Sequence, residues 1–199
     1  MYLTRSIAIA GLAAITAVNA CAATAPAPPK PAVTKAIIAE QPLQVTQPSP
    51  EAMYRACDAV AHVKIVSSHP ALIPGRGPMP SVFTVLEANV LETVKGTLPA
   101  HIKIYQKAGQ YEDATHIYRV ADLEAVSAGA EYLLFINWND TLGAYVVGGN
   151  EGAYEVDTAG SLRALAHSST ATAVGQKTLR SIENDVRVAN SKNKNDVQR

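Results

Sequence analysis

The chain has 199 residues, and its seventeen basic and seventeen acidic side chains leave a formal net charge of zero. That balance excludes a general attraction to polyanions, so nucleic acid is not expected as a partner and an anionic membrane surface is not expected to hold the domain by charge. Eight of the eleven aromatic residues are tyrosine, which suits strand surfaces.

In chain order, Arg5 precedes an apolar run from Ile7 to Val18, closed by Val18-Asn19-Ala20-Cys21. A run of that length falls short of the roughly twenty apolar residues a membrane span needs, and the pattern reads as a secretory signal over residues 1–20. Its end resembles the lipobox of bacterial lipoproteins, with Asn19 standing where a small residue is usual. The resemblance implies that Cys21 is acylated and becomes the mature N-terminus. Ordinary cleavage after Ala20 or Ala22 is the competing reading. With Cys21 acylated, Cys57 stands alone; in a secreted form the two could pair.

Residues 21–49 read as a tether. Seven of the twelve prolines lie between Ala25 and Pro50, which disfavours helix and sheet and favours extended polyproline chain at about 3.1 Å per residue. What remains, about 150 residues, is enough for one folded domain.

Ser49-Pro50-Glu51 is a helix start: a capping hydroxyl, a proline at the first helical position and an acid in the first turn. The short helix ends near Cys57, followed by a strand in which Ala59, Ala61, Val63 and Ile65 alternate with Val60, His62, Lys64 and Val66. Ser67 to Pro80, with four prolines and two glycines, is expected as a long loop that includes Arg76. The even positions from Val82 to Val94 are mostly apolar, broken by Glu92, predicting a long, bent strand. Lys95-Gly96 turns the chain into a hairpin partner, His101 to Lys107, with Ile102 and Ile104 on one face. Thr115 to Val120 is a short strand, Asp122 to Ala128 is irregular, and Tyr132 to Ile136 is apolar on both faces, as in a covered central strand. Ala144–Val147 and Gly152–Val156 are short strands joined by a tight hairpin turn at Gly148-Gly149-Asn150-Glu151. Leu179, Ile182 and Val186 fall on one face of an amphipathic helix, and Asn190 to Arg199 is expected to fray.

Several of these strings, Ala59 to Val66, Leu91-Glu92-Thr93-Val94-Lys95-Gly96, Gly129-Ala130-Glu131-Tyr132-Leu133-Leu134-Phe135 and Tyr145 to Tyr154, resemble a family of small exported bacterial domains similar to the netrin-like module and to tissue inhibitors of metalloproteinases. The resemblance covers about residues 57 to 160. It implies an OB-like five-stranded antiparallel barrel; with the short N-terminal helix read above, the expectation is a mostly β domain over residues 50–165, followed over 166–199 by the C-terminal amphipathic helix and a disordered tail. It does not carry inhibition over, because in those inhibitors a free N-terminal cysteine beside the barrel chelates the protease zinc. Here Cys21 is a tether away and Cys57 is internal.

No constellation in the sequence names a reaction, a metal or a cofactor. His62, His69, His101, His116 and His167 stand singly; Glu112-Asp113 with His116 is an acid-rich loop that favours hydration over a divalent ion. A phosphate loop at Gly148–Gly152 lacks the helix that would follow it. Ser67-Ser68-His69 and His167-Ser168-Ser169 are adjacencies and not triads. Cys57 is expected as a small buried hydrophobe. The best surface candidates are Lys103, Tyr105 and Lys107, alternating on an outer strand face, with Arg76 in the proline-glycine loop. The expectation is a non-enzymatic, lipid-anchored protein of the bacterial cell envelope, at the outer membrane or in the periplasm, that binds a protein or glycan. The alternative is a metalloprotease-inhibitor-like domain.

Overall fold

The computed structural model describes residues 35–40, 47–74, 80–120, 123–149 and 151–197, with side chains to Ser191 except that of Glu40. Cys21, Arg76, the leader and most of the tether lie outside the described residues. The described residues fold as a mostly β structure of ten strands and three helices.

Helix α1 spans Pro50–Ala56. Its start is the one the sequence encodes: the Ser49 hydroxyl accepts the Ala52 N–H at 3.2 Å and Pro50 occupies the first turn, where its missing N–H costs nothing. Its end is held by a residue far along the chain. Lys95 Nζ donates to the carbonyls of Tyr54 (2.9 Å), Arg55 (3.1 Å) and Cys57, a cation on the helix C-terminus. Gly96 follows at φ 80°, and a Cβ there would stand 2.8 Å from the Asp58 carbonyl, so the Lys-Gly pair has a physical reason for both residues.

Strands β2 (Ala59–Ile73), β3 (Ser81–Lys95), β4 (His101–Gln106), β7 (Glu131–Asn139) and β8 (Ala144–Val147) form a ring, in the cyclic order β2-β3-β4-β8-β7. Four of the five pairings are antiparallel; β4 and β8 run parallel, with Ile104 opposite Tyr145, which corrects an all-antiparallel expectation. Ala59, Ala61, Val63 and Ile65 of β2 point into the ring with Leu86, Ala88, Ile102, Ile104, Tyr132, Leu134 and Ile136. Three alanines among them suit the interior of so small a ring. On the even face of β3, Val82, Thr84, Leu86, Ala88 and Val94 are buried, as the alternation requires.

The opposite face of β7 is buried as well. Leu133 and Phe135, with Val60, Tyr154 and Leu162, pack against Met53, Tyr54 and Cys57 of the α1 region, Val174 of α2 (Ser169–Gly175), and Ile182, Val186 and Ala189 of α3 (Leu179–Val197). Tyr132 to Ile136 is therefore the covered central strand its composition predicts, each large side chain contributing about 1.5 to 3 kcal/mol of burial. Helix α3 continues past Asn190, where fraying was expected, to Val197.

Three further expectations are corrected. Ser67 to Ile73 is not loop: it is the outer half of β2, paired with Ser81 to Glu87 of β3, with Pro70 opposite Thr84. Past Lys64, β2 has lost β7 as a ladder neighbour, so it is an edge there, and an edge tolerates proline. Gly148 to Gly152 is not a hairpin turn. Strand β8 pairs with Ile136–Asn139 and β9 (Ala153–Val156) with Glu131–Leu134, so the two lie end to end along one edge of β7 and the glycine segment leaves that edge and returns to it. Phe135 bridges the gap: its carbonyl accepts the Gly148 N–H at 2.7 Å and its N–H donates to the Gly152 carbonyl at 2.8 Å. Strand β10 (Leu162–Ala164) continues the sheet beyond β9.

The third correction lies in the tether. Ala36–Glu40 is strand β1, paired in parallel with β6 (His116–Val120), whose other neighbour is β5 (Gln110–Glu112). Its hydrogen bonds run to backbone and Lys35 Nζ reaches Glu112 at 2.6 Å, while Ile37 remains 64% exposed. Apolar composition, Ala-Ile-Ile-Ala, outweighed the flanking prolines.

Candidate binding face

Ile102 and Ile104 turn inward on β4, so Lys103 and Tyr105 turn out, as predicted; Lys107 follows just past the strand end. Lys103 Nζ sits 5.3 Å from the centroid of the Tyr105 ring, and a side-chain hydrogen bond with Tyr105 raises its ammonium above the ordinary range. Phe83 of β3 meets Tyr105 edge to face at 6.2 Å.

The structure adds a residue the sequence reading missed. Trp138 lies two residues past the last β7 position paired with β2, Ile136, and directly opposite Tyr145. It has the parity of inward Leu134 and Ile136, but beyond the β2 ladder the ring no longer encloses it and it is 49% exposed. Its place is nonetheless fixed three times: the backbone N–H donates to Asp58 Oδ2 at 2.8 Å, the indole Nε1–H donates to Asp140 Oδ1 at 3.0 Å, and the ring packs edge to face on Tyr145 at 5.2 Å. The signal was present in the string Asn137-Trp138-Asn139-Asp140, where the chain's sole tryptophan stands among turn-forming polar residues instead of inside the apolar run.

Trp138 and Leu142 are shared walls of two neighbouring troughs. The first, about 320 Å³, is completed by Phe83, Lys107, Asn137, Val146 and Gly148 among others; the second, about 330 Å³, by Pro99, His101, Lys103, Tyr105 and Tyr145 among others. Among the described residues no carboxylate lines either trough, and the ionisable groups there are Lys103, Lys107, His101 and the tyrosines. An exposed, pre-positioned indole with lysines and amides around it is arranged for contact with a flat ligand, by stacking and by hydrogen bonds at the rim.

The other sequence candidates are spent on structure. The Asp113 carboxylate accepts the N–H groups of Thr115 (2.8 Å) and His116 (2.7 Å), which hold it below the usual range and make it a turn cap. Ser68 Oγ donates to the Val126 carbonyl at 2.9 Å. Ser168 caps α2, accepting the Ala171 N–H at 3.0 Å, and donates to Glu151. Cys57 is buried and unpaired among the described residues, and burial pushes its thiol up to about 11, the wrong direction for a nucleophile. Among the described residues no group of three or more His, Cys, Asp or Glu side chains gathers to hold a metal, and no helix is long and apolar enough to cross a membrane. Comparison with protein-family models and with curated proteins returns no match to this chain.

Proposed function

We propose that this chain is a non-enzymatic exported protein of the bacterial cell envelope, anchored by lipid on Cys21, whose ring of strands is an OB-like barrel that binds a glycan on the face around Trp138. The leader and the Val18-Asn19-Ala20-Cys21 string support export and anchoring. The ring order supports the OB-like reading and with it the resemblance to netrin-like domains: taken in chain order, the first strand pairs with the second and fourth, and the fifth lies between third and fourth. In OB barrels ligands lie on the second and third strands and the loops flanking them. Here those strands are β3 and β4, with Phe83, Lys103 and Tyr105; the turn between fourth and fifth strands, Asp140 to Gly143, follows Trp138.

The observation that carries the binding claim is Trp138 itself, half exposed and still held at its backbone, its ring nitrogen and its ring edge. A glycan is favoured over a peptide because β4 and β8 have neighbours on both sides, so an extended peptide finds no ladder edge to join, whereas a sugar ring stacks on an indole without one. The inhibitor alternative is disfavoured by Cys57, which is internal and buried and offers no free amine.

Two experiments test the reading. Cys21→Ser is expected to move the protein from the membrane to the soluble exported fraction; persistence in the membrane would contradict the anchor. On a glycan array, the full chain is expected to retain specific sugars that Trp138→Ala does not, and equal retention by both would contradict the assignment of the face.

A further inference from the structure

We propose that strand β1 is a self-association edge: it pairs antiparallel with β1 of a second copy of this chain, with Ile38 on the two-fold axis. Among the described residues β1 has β6 on one side and no strand on the other. The Ala36 N–H is turned toward β6, donating to the Thr115 carbonyl at 3.0 Å. Successive residues of a strand turn their backbone groups to opposite sides, so Ile37 and Ala39 turn theirs to the outer edge. That edge is self-complementary. With Ile38 on the axis, Ile37 faces Ala39 of the second copy, Ala39 faces its Ile37, and each of these two pairs can exchange both N–H···O bonds. Ala36 then faces Glu40, so no like charges meet along the strand. Lys35 is engaged within its own chain, donating to Glu112 and to the Asp113 carbonyl, both at 2.6 Å.

The other sheet ends of the molecule show what an edge that stays single looks like. Strand β10 is three residues long and carries Arg163, β5 is three residues long and carries Glu112, and the outer half of β2 carries Pro70. Short length, charge and proline are the devices that stop an edge from pairing with another chain. Strand β1 has five residues and none of these devices between Ala36 and Ala39, which read Ala-Ile-Ile-Ala. Ala36, Ile37 and Ala39 are exposed, Ile37 by 64%. A five-residue ladder buries far less than the roughly 1,200 Å² of a stable interface, so the pairing needs copies held close together. The lipid anchor proposed above supplies that. From Cys21 to Lys35 the chain reaches at most about 50 Å even when fully extended, which keeps β1 of every anchored copy in one thin layer.

The test is oxidative cross-linking of the full chain in the membranes of cells that produce it, with copper phenanthroline as oxidant and the wild type, its Cys57 buried, as background. Residue 38 and its symmetry mate form a pair without mutual hydrogen bonds, with Cα atoms about 4.5 Å apart, within disulfide reach. Residue 36 lies on the same face of the strand, but its symmetry mate is about 13 Å away, beyond that reach. Ile38→Cys is therefore expected to give a species of twice the chain mass at least about tenfold faster than Ala36→Cys. Adding Ala39→Pro to Ile38→Cys removes an N–H that faces the outer edge and none that faces β6, and is expected to slow the reaction to the Ala36→Cys rate. An unchanged thermal melt confirms that the double variant is folded. Equal rates for Ile38→Cys and Ala36→Cys, or a cross-link from residue 38 to a different protein, would overturn the pairing. The anchor is scored separately, by the membrane partitioning of Cys21→Ser. If the wild type itself proves soluble, the anchor fails, and the rate difference between the two cysteine variants is still expected at high protein concentration; its absence there would overturn the pairing as well.

Discussion

The buried carboxylate of Glu151 accepts the backbone N–H of Gln47 at 3.0 Å, and its other oxygen accepts the hydroxyl of Ser168. Thr170 completes the clamp by donating to the Gln47 carbonyl at 2.8 Å. One side chain, 2% exposed, thus ties together the end of the tether, the N-cap of α2 and the segment that leaves and rejoins β7. Replacing Glu151 with Gln leaves one of these donors facing an amide N–H₂ instead of an acceptor. The expected cost is about 1 to 3 kcal/mol in chemical denaturation, with faster hydrogen exchange at Gln47 and Ala171. Unchanged exchange at both amides would show that the clamp carries no stability.

Cys57 gives the fold a pH signature. Burial raises the folded thiol from the usual 9 to about 11, against the lowering effect of the nearby Lys95 ammonium, so the folded state holds this proton more tightly than the unfolded chain does. The associated stability is complete below about pH 9 and is lost as pH rises toward 11, by roughly 2 to 3 kcal/mol. Burial also raises Tyr54 and Tyr154 above their ordinary range, which adds to the alkaline slope. The difference between wild type and Cys57→Ala isolates the thiol: their stabilities are expected to converge between pH 9 and 11. The native thiol is also expected to resist a disulfide reagent at pH 8 and to react on unfolding.

Glycines in the strand region divide by what a side chain would meet. At Gly152 a Cβ would fall 2.7 Å from the Gly148 carbonyl oxygen and 2.8 Å from both the Gly148 nitrogen and the Phe135 carbonyl oxygen, all backbone atoms that cannot move without opening β7. Gly152→Ala is expected to cost about 3 kcal/mol or more. At Gly160, φ is 78° but nothing lies within 4 Å, so Gly160→Ala is expected to cost only the left-handed penalty of about 1 to 2 kcal/mol. Equal costs in thermal melts would contradict the excursion geometry of residues 148–152.

Strand β1 is expected to be the weakest strand of the molecule. None of the side chains described for it is buried, it pairs with β6 alone, and its ion pair Lys35–Glu112 is solvent-facing, a kind worth about 0 to 1 kcal/mol. Lys35→Ala is expected to shift global stability by less than about 1 kcal/mol while raising hydrogen exchange in Ile37 to Ala39. Exchange there as slow as in Leu133 to Phe135 would contradict the assignment.

Much of the ring was legible in the sequence because its strands are amphipathic with period two. The alternation of Val82, Thr84, Leu86 and Ala88, the two-faced run Tyr132 to Ile136 and the cap Ser49-Pro50 all appear where the pattern puts them. What the sequence hid depends on neighbours distant in the chain. Pro70 sits in a strand because β7 ends opposite Lys64, and the Gly148–Gly152 segment is an excursion because β8 and β9 share β7 as a partner; neither fact is local. The site was half legible. Lys103, Tyr105 and Lys107 follow from strand alternation, whereas Trp138 continues an inward parity and becomes exposed only because β2 stops short of it.

Trp138 is the chain's only tryptophan, so its emission reports on the proposed face without interference. The most direct test of the account is to titrate the full chain with the glycan its array profile selects, following tryptophan emission and its quenching by acrylamide. Stacking at Trp138 predicts a blue shift and protection from acrylamide that saturate together with binding. Saturable binding with emission and quenching unchanged would place the ligand elsewhere and contradict the central claim.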